Sequence, residues 1–385
     1  MRLKTILTLA LVLTPGVQVF SPTVSSAQDG PQDRYIVKLR PPSGGGPLVE
    51  AYDSIVGRGG KIHYVFEEPL WGFAATISSS TLSRLRADSF VISIDSDQYV
   101  TPPMPVASSA GASNYDPGWS LSHIGATEVP SDGANNVSVY VLDTGIRTTH
   151  KEFSSRATMP GDADFMSDEN DRGDCNGHGT HVADLIGGEK YGVARGVHLI
   201  GVRVIACDGF GTISSLLKGL LWVRSHAQAP SVINLSLGVL EGKQSADVNA
   251  IVSDLVQRGF PVVVAAGNDG EDACQHAPGA NTHAITVAAI DRQDRRPAFS
   301  NFGRCVKIFA PGARVYAANA ASDRQFTVRD GTSMSAAIVS GVIALLLQQN
   351  PAATPAEIEQ KLIAASATGI KNLGGSPDRR LTLPH

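Results

Sequence analysis

At 385 residues, 42% of them hydrophobic, the chain can bury a sizeable core and carry an accessory unit beside it. Its formal net charge of −4 comes without a basic block or a long acidic tail, which argues against nucleic acid as a partner and against a solvating arm. The 39 glycines imply many tight turns and close backbone contacts rather than long helices.

The chain opens with the pattern of a secretory signal. Arg2 and Lys4 supply the charged start, Ile6 to Leu13 form an apolar run too short for a membrane span, and Pro15 follows. Ser25, Ser26 and Ala27 are small enough for a cleavage site, so residues 1–27 are expected to be removed. No other run approaches the roughly 20 apolar residues of a span. The expected product is a secreted, soluble monomer with no membrane partner. Export also governs the four cysteines, Cys175, Cys207, Cys274 and Cys305. An even number in an oxidising compartment points to two disulfides, with three pairings open. No CxxC pair is present, which argues against zinc.

Residues 34–100 read as a small α+β unit. "RYIVKLR", "WGFAATIS" and "FVISIDSDQYV" have strand character, and "SSTLSRLRA" is a short helix candidate. Residues 101–118, rich in Pro, Gly, Ser and Ala, have the composition of a linker open to proteases. From about 119 the pattern changes. "VSVYVL", "LIGVRVI", "SVINLSL", "PVVVAA" and "AITVAAI" are continuous apolar runs of strand length, as expected for strands buried on both faces. Helices are expected between them, including 213–226 and 246–257. This order predicts an α/β fold with a mostly parallel sheet flanked by helices. Near the C-terminus, Thr354, Pro355 and Glu357 form a helix-start signal with a capping box.

In such sheets function gathers beyond the carboxyl ends of the strands. Asp143 follows "VSVYVL". His178 stands between two glycines ahead of a helix. Asn268 follows "PVVVAA". Ser333 opens the helix that runs to Gln349. A serine hydroxyl needs a histidine to take its proton, and a buried carboxylate fixes that histidine's tautomer. An amide donor and the free N–H groups of a helix start can hold the oxyanion. Ser335 and Ser340 lie deeper in the helix, without that setting. His178 and His181 are also spaced to share a metal, but no third ligand of matching spacing is evident.

The motifs "VLDTG", "NGHGTHVA", "NLSLG", "AAGN", "DRRPAFSNFG", "FAPG" and "GTSM" give the second unit a resemblance to the subtilisin-like serine proteases, and among them to the proteinase K and aqualysin group. The chain order Asp, His, Ser is that of the subtilisin triad, itself a worked example of this chemistry. The resemblance implies a three-layer subtilisin-like fold and a catalytic triad of Asp143, His178 and Ser333. It makes Asn268 and the Ser333 N–H the oxyanion hole. It also implies substrate-binding walls at Ser236, Leu237, Gly238 and at Ala265, Ala266, Gly267, with Gly209, Phe210 and Gly211 as the strand that pairs with substrate backbone. Broad endopeptidase action on proteins and peptides, with an apolar or aromatic P1 preference and no catalytic cofactor, follows as an expectation. Disulfides Cys175–Cys207 and Cys274–Cys305 are implied in the same way.

By the same resemblance, residues 28–111 are an inhibitory propeptide, with a ferredoxin-like folded part at about 34–100, and 112–385 the peptidase domain. The mature start is set near Ala112 by its spacing to Trp119.

Several positions depart from the family pattern. Asp184 stands where a glycine is usual, and Ser335 and Ala337 replace an alanine and a proline after the nucleophile. A non-catalytic binding protein on this fold is therefore the alternative. Lys307 replaces an aspartate that holds calcium in relatives. The acidic loop 162–174, with Asp162, Asp164, Asp168, Glu169, Asp171 and Asp174, is read first as a solvated loop and second as a structural calcium site. His276 replaces an aromatic residue that lines the specificity pocket.

Overall fold

The structure is a computed structural model that describes residues 33–41, 46–102, 116–166, 173–240 and 243–384. The signal sequence expected at 1–27, the mature start near Ala112, and Asp168, Glu169 and Asp171 lie outside the described residues.

The N-terminal unit runs β1 (Arg34–Leu39), α1 (Gly46–Val56), β2 (Lys61–Phe66), β3 (Gly72–Thr76), α2 (Ser79–Leu85) and β4 (Val91–Ser96). Its sheet has the order β2-β3-β1-β4 with antiparallel pairings, which is a ferredoxin-like arrangement. Period-two alternation sends the two faces to different partners. Val37, Leu39, Phe73 and Ala75 face α1 and α2, where Ala51, Ile55, Leu82 and Leu85 complete a small core. Ile36, Phe66 and Ala74 face the larger body and join its hydrophobic cluster. Each large side chain buried this way contributes roughly 1.5–3 kcal/mol.

The stretch "FVISIDSDQYV", read from sequence as one strand, is two. Asp97 is buried, and β5 (Tyr99–Thr101) leaves the N-terminal sheet altogether. The turn comes because the Asp97 carboxylate caps a helix of the other body: it accepts from Ser214 N (2.8 Å) and Ser214 Oγ (2.6 Å) and pairs with Arg34 (2.6 Å).

The second unit begins with α3 (Trp119–Ile124) and continues β6 (Ser138–Asp143), β7 (Ala157–Thr158), α4 (His178–Gly187), β8 (His198–Arg203), β9 (Gly211–Thr212) and α5 (Ile213–His226). Then come β10 (Ser231–Leu235), β11 (Gly238–Val239), α6 (Ala246–Gln257), β12 (Val262–Ala265), β13 (Ile285–Ile290) and β14 (Ile308–Pro311). A hairpin of β15 (Val315–Ala318) and β16 (Phe326–Arg329) leads to α7 (Thr332–Gln349) and α8 (Pro355–Ala365). The seven-stranded sheet has the order β14-β13-β12-β10-β6-β8-β7, and its pairings are parallel. The expected strands and helices are all present in it, including α5 and α6 at the expected bounds, and α8 has the Thr354–Glu357 capping box.

Helices cover both faces. α4 and α7 pack with the cluster that includes Val139, Val141, Val263 and Ile338, while α5 and α6 join the cluster on the opposite face with Leu142, Ile233 and Val264. α7 is long and apolar enough to cross a membrane, yet 83% of it is buried inside the protein, as befits a core helix.

Candidate active site

Parallel strands β6, β10 and β12 end side by side, and the residues just beyond them form one cleft with the start of α7. Asp143 is the last residue of β6 and is fully buried. Its Oδ1 accepts from His178 Nδ1 (2.8 Å) and from Thr144 N (2.8 Å). A carboxylate only accepts, so Nδ1 carries the hydrogen and Nε2 is left as the basic nitrogen. Gly179 makes this approach possible. A Cβ there would stand 2.1 Å from the Gly145 carbonyl and 3.1 Å from Asp143 Cβ.

The histidine-bearing helix is pinned by a residue that sequence reasoning assigned to the acidic loop. Asp174 is buried, and its Oδ1 accepts from Gly177 N (2.7 Å), Asn176 N (3.2 Å) and Thr144 Oγ1 (2.8 Å). Its Oδ2 accepts from Thr180 N (2.8 Å) and Thr180 Oγ1 (2.5 Å). Asp174 thus satisfies orphan N–H groups at the start of α4, where a carboxylate also meets the positive end of the helix dipole. The signal was present in the sequence as an acid six residues ahead of Thr180 at a helix start.

Ser333 is the second residue of α7 and fully buried. Its Oγ donates to the Ser236 carbonyl (3.2 Å), not to His178. Ser335 Oγ donates to the Ala310 carbonyl (3.0 Å) and Ser340 Oγ to Asn234 Oδ1 (2.9 Å), so both are tied into the core. Asn268 follows β12. Its Oδ1 accepts from Thr332 N (2.9 Å) and Thr332 Oγ1 (3.0 Å), and Thr332 Oγ1 in turn accepts from Gly267 N (3.1 Å). With the carbonyl end of the amide held this way, its nitrogen end is oriented. Thr332 was missed as a positioning residue because a threonine beside a serine carries no distinctive pattern. Asn301 was missed for the same reason. Its Oδ1 accepts from Asp269 N and Glu271 N, and its Nδ2 donates to the Ala266 carbonyl, holding the loop after β12.

A slot opens beyond the ends of β10 and β12, lined by Leu237, Gly238, Ala265, Ala266, Gly267 and His276 among others. Along its rim β5 lies as the middle strand of a three-stranded antiparallel ladder, with Val100 opposite both Gly211 and Val239 and Thr101 opposite Gly238. Of the expected edge strand only Gly211 pairs, together with Thr212, while Gly209 and Phe210 lie in the turn before it, and the edge carries a peptide of this same chain. Phe210 stacks edge-on with Tyr99.

Disulfides join Cys175 to Cys207 and Cys274 to Cys305, the first linking the segment ahead of α4 to the loop before β9. The Ala277–Pro278 peptide is cis. Lys307 forms an ion pair with Glu359 (2.7 Å). In the acidic loop Asp162 accepts from Trp222 Nε1 (3.0 Å) and Asp164 pairs with Arg203 (3.4 Å). Among the described residues no group of three or more acidic, Cys or His side chains is arranged to hold a metal. His181 is wholly buried, and burial lowers its pKa well below the usual imidazole value.

A family model described as the Subtilase family matches residues 134–380. The chain belongs to the subtilase family. The Extracellular serine proteinase of Thermus sp. (strain Rt41A) is 40% identical over 335 residues, covering 85% of this chain and 78% of that protein. The Alkaline serine exoprotease A of Vibrio alginolyticus is 36% identical over 366 residues, covering 91% and 67%. A solved structure of a cold adapted subtilisin-like serine proteinase superposes with a TM-score of 0.64 at 37% identity, covering 70% of this chain and 99% of that one. The subtilase is thus a subtilisin-like serine protease, a hydrolase of peptide bonds, and the expected fold class is borne out.

Proposed function

We propose that this subtilase is a secreted endopeptidase of the proteinase K and aqualysin group, made as a self-processing zymogen. Ser333 is the nucleophile, His178 the general base and then acid, and Asp143 the group that orients and stabilises the imidazolium. What supports this above all is the Asp143–His178 hydrogen bond at the end of β6, facing the helix start that bears Ser333.

Rotation of the Ser333 side chain away from the Ser236 carbonyl lets Oγ pass its proton to His178 Nε2 as it attacks the scissile carbonyl. The resulting oxyanion sits between the Ser333 N–H and the Asn268 amide, a preorganised donor of the kind worth roughly 3 kcal/mol in the transition state. His178 then returns the proton to the leaving amine, and water repeats the cycle on the acyl-enzyme.

Residues 1–27 are the signal, 28–111 the propeptide and 112–385 the peptidase domain. The propeptide inhibits by laying β5 along the substrate edges β9 and β11 and by capping α5 with Asp97. Substrates are proteins and peptides that add a strand in the same place. Leu237, Ala265 and Ala266 give the P1 slot apolar walls and broad specificity for apolar and aromatic residues. No cofactor takes part in catalysis.

The test is to secrete wild type and Ser333→Ala side by side, follow their masses, and treat both with a serine-directed fluorophosphonate. Wild type should lose about residues 28–111 and label once, while the variant keeps its propeptide and stays unlabelled. Identical, unprocessed and unlabelled products would instead make the protein a binding module on a protease fold.

A further inference from the structure

The P1 slot has apolar walls but a charged end. His276 lines it with its side chain only 7% exposed, and its Nε2 is buried without a hydrogen-bond donor or acceptor in bonding geometry. Two carboxylates of the same loop flank the ring. Asp269, which also lines the slot, places Oδ2 3.6 Å from Nδ1, and Glu271 places Oε2 3.3 Å from Nε2. Their side chains are 57% and 64% exposed, so neither is consumed by the core. Asn301 fixes both by accepting from their backbone N–H groups (3.0 and 2.9 Å). Asp272, next in the loop, is engaged in capping Cys274 N (2.9 Å). Lys243, on the facing segment, meets this loop through its carbonyl, which accepts from Ala277 N (3.1 Å). Whichever state the imidazole adopts, His276, Asp269 and Glu271 together sum to a negative charge.

We infer that His276, Asp269 and Glu271 are specificity-determining residues that extend the P1 range to long cationic side chains, lysine and arginine, and reject acidic ones. This rests on the reading of the slot as the P1 site. The chemistry is that of an amphipathic side chain. Methylenes of P1 lysine lie along Leu237, Ala265 and Ala266, while the ammonium reaches the polar end and meets Asp269, with Glu271 adding its charge from across the His276 ring. An aliphatic P1 residue fills the walls but pairs with neither carboxylate. A P1 glutamate places like charges together. Because the carboxylates are half-exposed, the effect is moderate and falls as salt screens it.

The experiment compares kcat/KM on four peptides that differ only at P1, lysine against its uncharged isostere norleucine and glutamate against glutamine. It uses the processed wild-type enzyme and Asp269→Asn/Glu271→Gln. Wild type should cleave lysine at least as well as norleucine and glutamine at least tenfold better than glutamate. In the double variant the lysine-to-norleucine ratio should fall by about tenfold, and raising salt should lower it in wild type alone. His276→Phe should likewise lower the lysine-to-norleucine ratio. Cleavage of norleucine with a ratio that the double variant does not move overturns this inference while leaving the P1 site in place. Failure to cleave any of the four, in an enzyme that labels at Ser333, overturns the assignment of the slot as P1 and the inference with it.

Discussion

Asp184 is an aspartate on α4 where glycine is usual, and it is wholly buried. Its Oδ2 accepts from Ala318 N (2.6 Å), and Oδ1 is buried without a hydrogen-bond partner. Burial first, then the charge of Glu152, pushes the carboxyl well above the ordinary range. Asp184 therefore keeps its proton in the folded state. The unfolded chain releases that proton above about pH 4. The folded state holds more protons than the unfolded one from there upward, so stability falls as pH rises through this window and levels only above the folded value. Asp184→Asn keeps the shape and removes the ionisable group. Each pH unit that separates the folded and unfolded values is about 1.4 kcal/mol recovered at neutral pH. In a domain of this size that raises the melting temperature by roughly 2–4 °C per kcal/mol. The assay is calorimetry from pH 4 to 9 with both proteins carrying Ser333→Ala to stop autolysis. The variant should match wild type near pH 4 and melt higher at pH 8. Parallel curves across the range would refute the retained proton.

Asn268→Ala should lower kcat by about 10²–10³ with little change in KM, measured on a chromogenic peptide, because the donor acts on the oxyanion and not on the bound substrate. Asp97→Ala leaves Arg34 without its buried partner and the Ser214 N–H of α5 without its acceptor, at about 3–5 kcal/mol. The lag between propeptide cleavage and the appearance of activity should shrink by about 100-fold, and an unchanged lag would remove Asp97 from the inhibitory contact. Cys175→Ser/Cys207→Ser opens a loop with a sequence separation of 32 residues and should cost about 3 kcal/mol, read as a drop of roughly 6–12 °C in Tm.

The frame was legible because strands buried on both faces advertise themselves as apolar runs, and α5, α6 and α8 carry amphipathic spacing or caps. The four residues at the cleft were legible because each follows a strand or opens a helix. Less visible was anything defined by partners far along the chain. Asp97 looks like the middle of a strand until Ser214 is brought to it. Asp174 looks like one acid among several until Thr144 and Thr180 close on it. Helix α1 and strand β2 were missed, since "GPLVEAYDSIV" and "KIHYVF" are short and mixed in polarity, and tertiary packing on Phe73 and the α5 face decides them.

Strand β5 has neighbours on both sides, β9 and β11, and neither of those pairs directly with the other. Withdrawing β5 would leave two short rows of unpaired N–H and C=O groups facing one another across the width of a single strand. Only a segment with both of its own edges vacant can satisfy both rows at once. A residue inside a native sheet has spent at least one edge, and a helical residue has spent both. The cleft would therefore discriminate by backbone state before any side chain is read. Unfolded loops, nicked chains and denatured proteins pass, and a correctly folded neighbour, including another copy of the same enzyme, is refused.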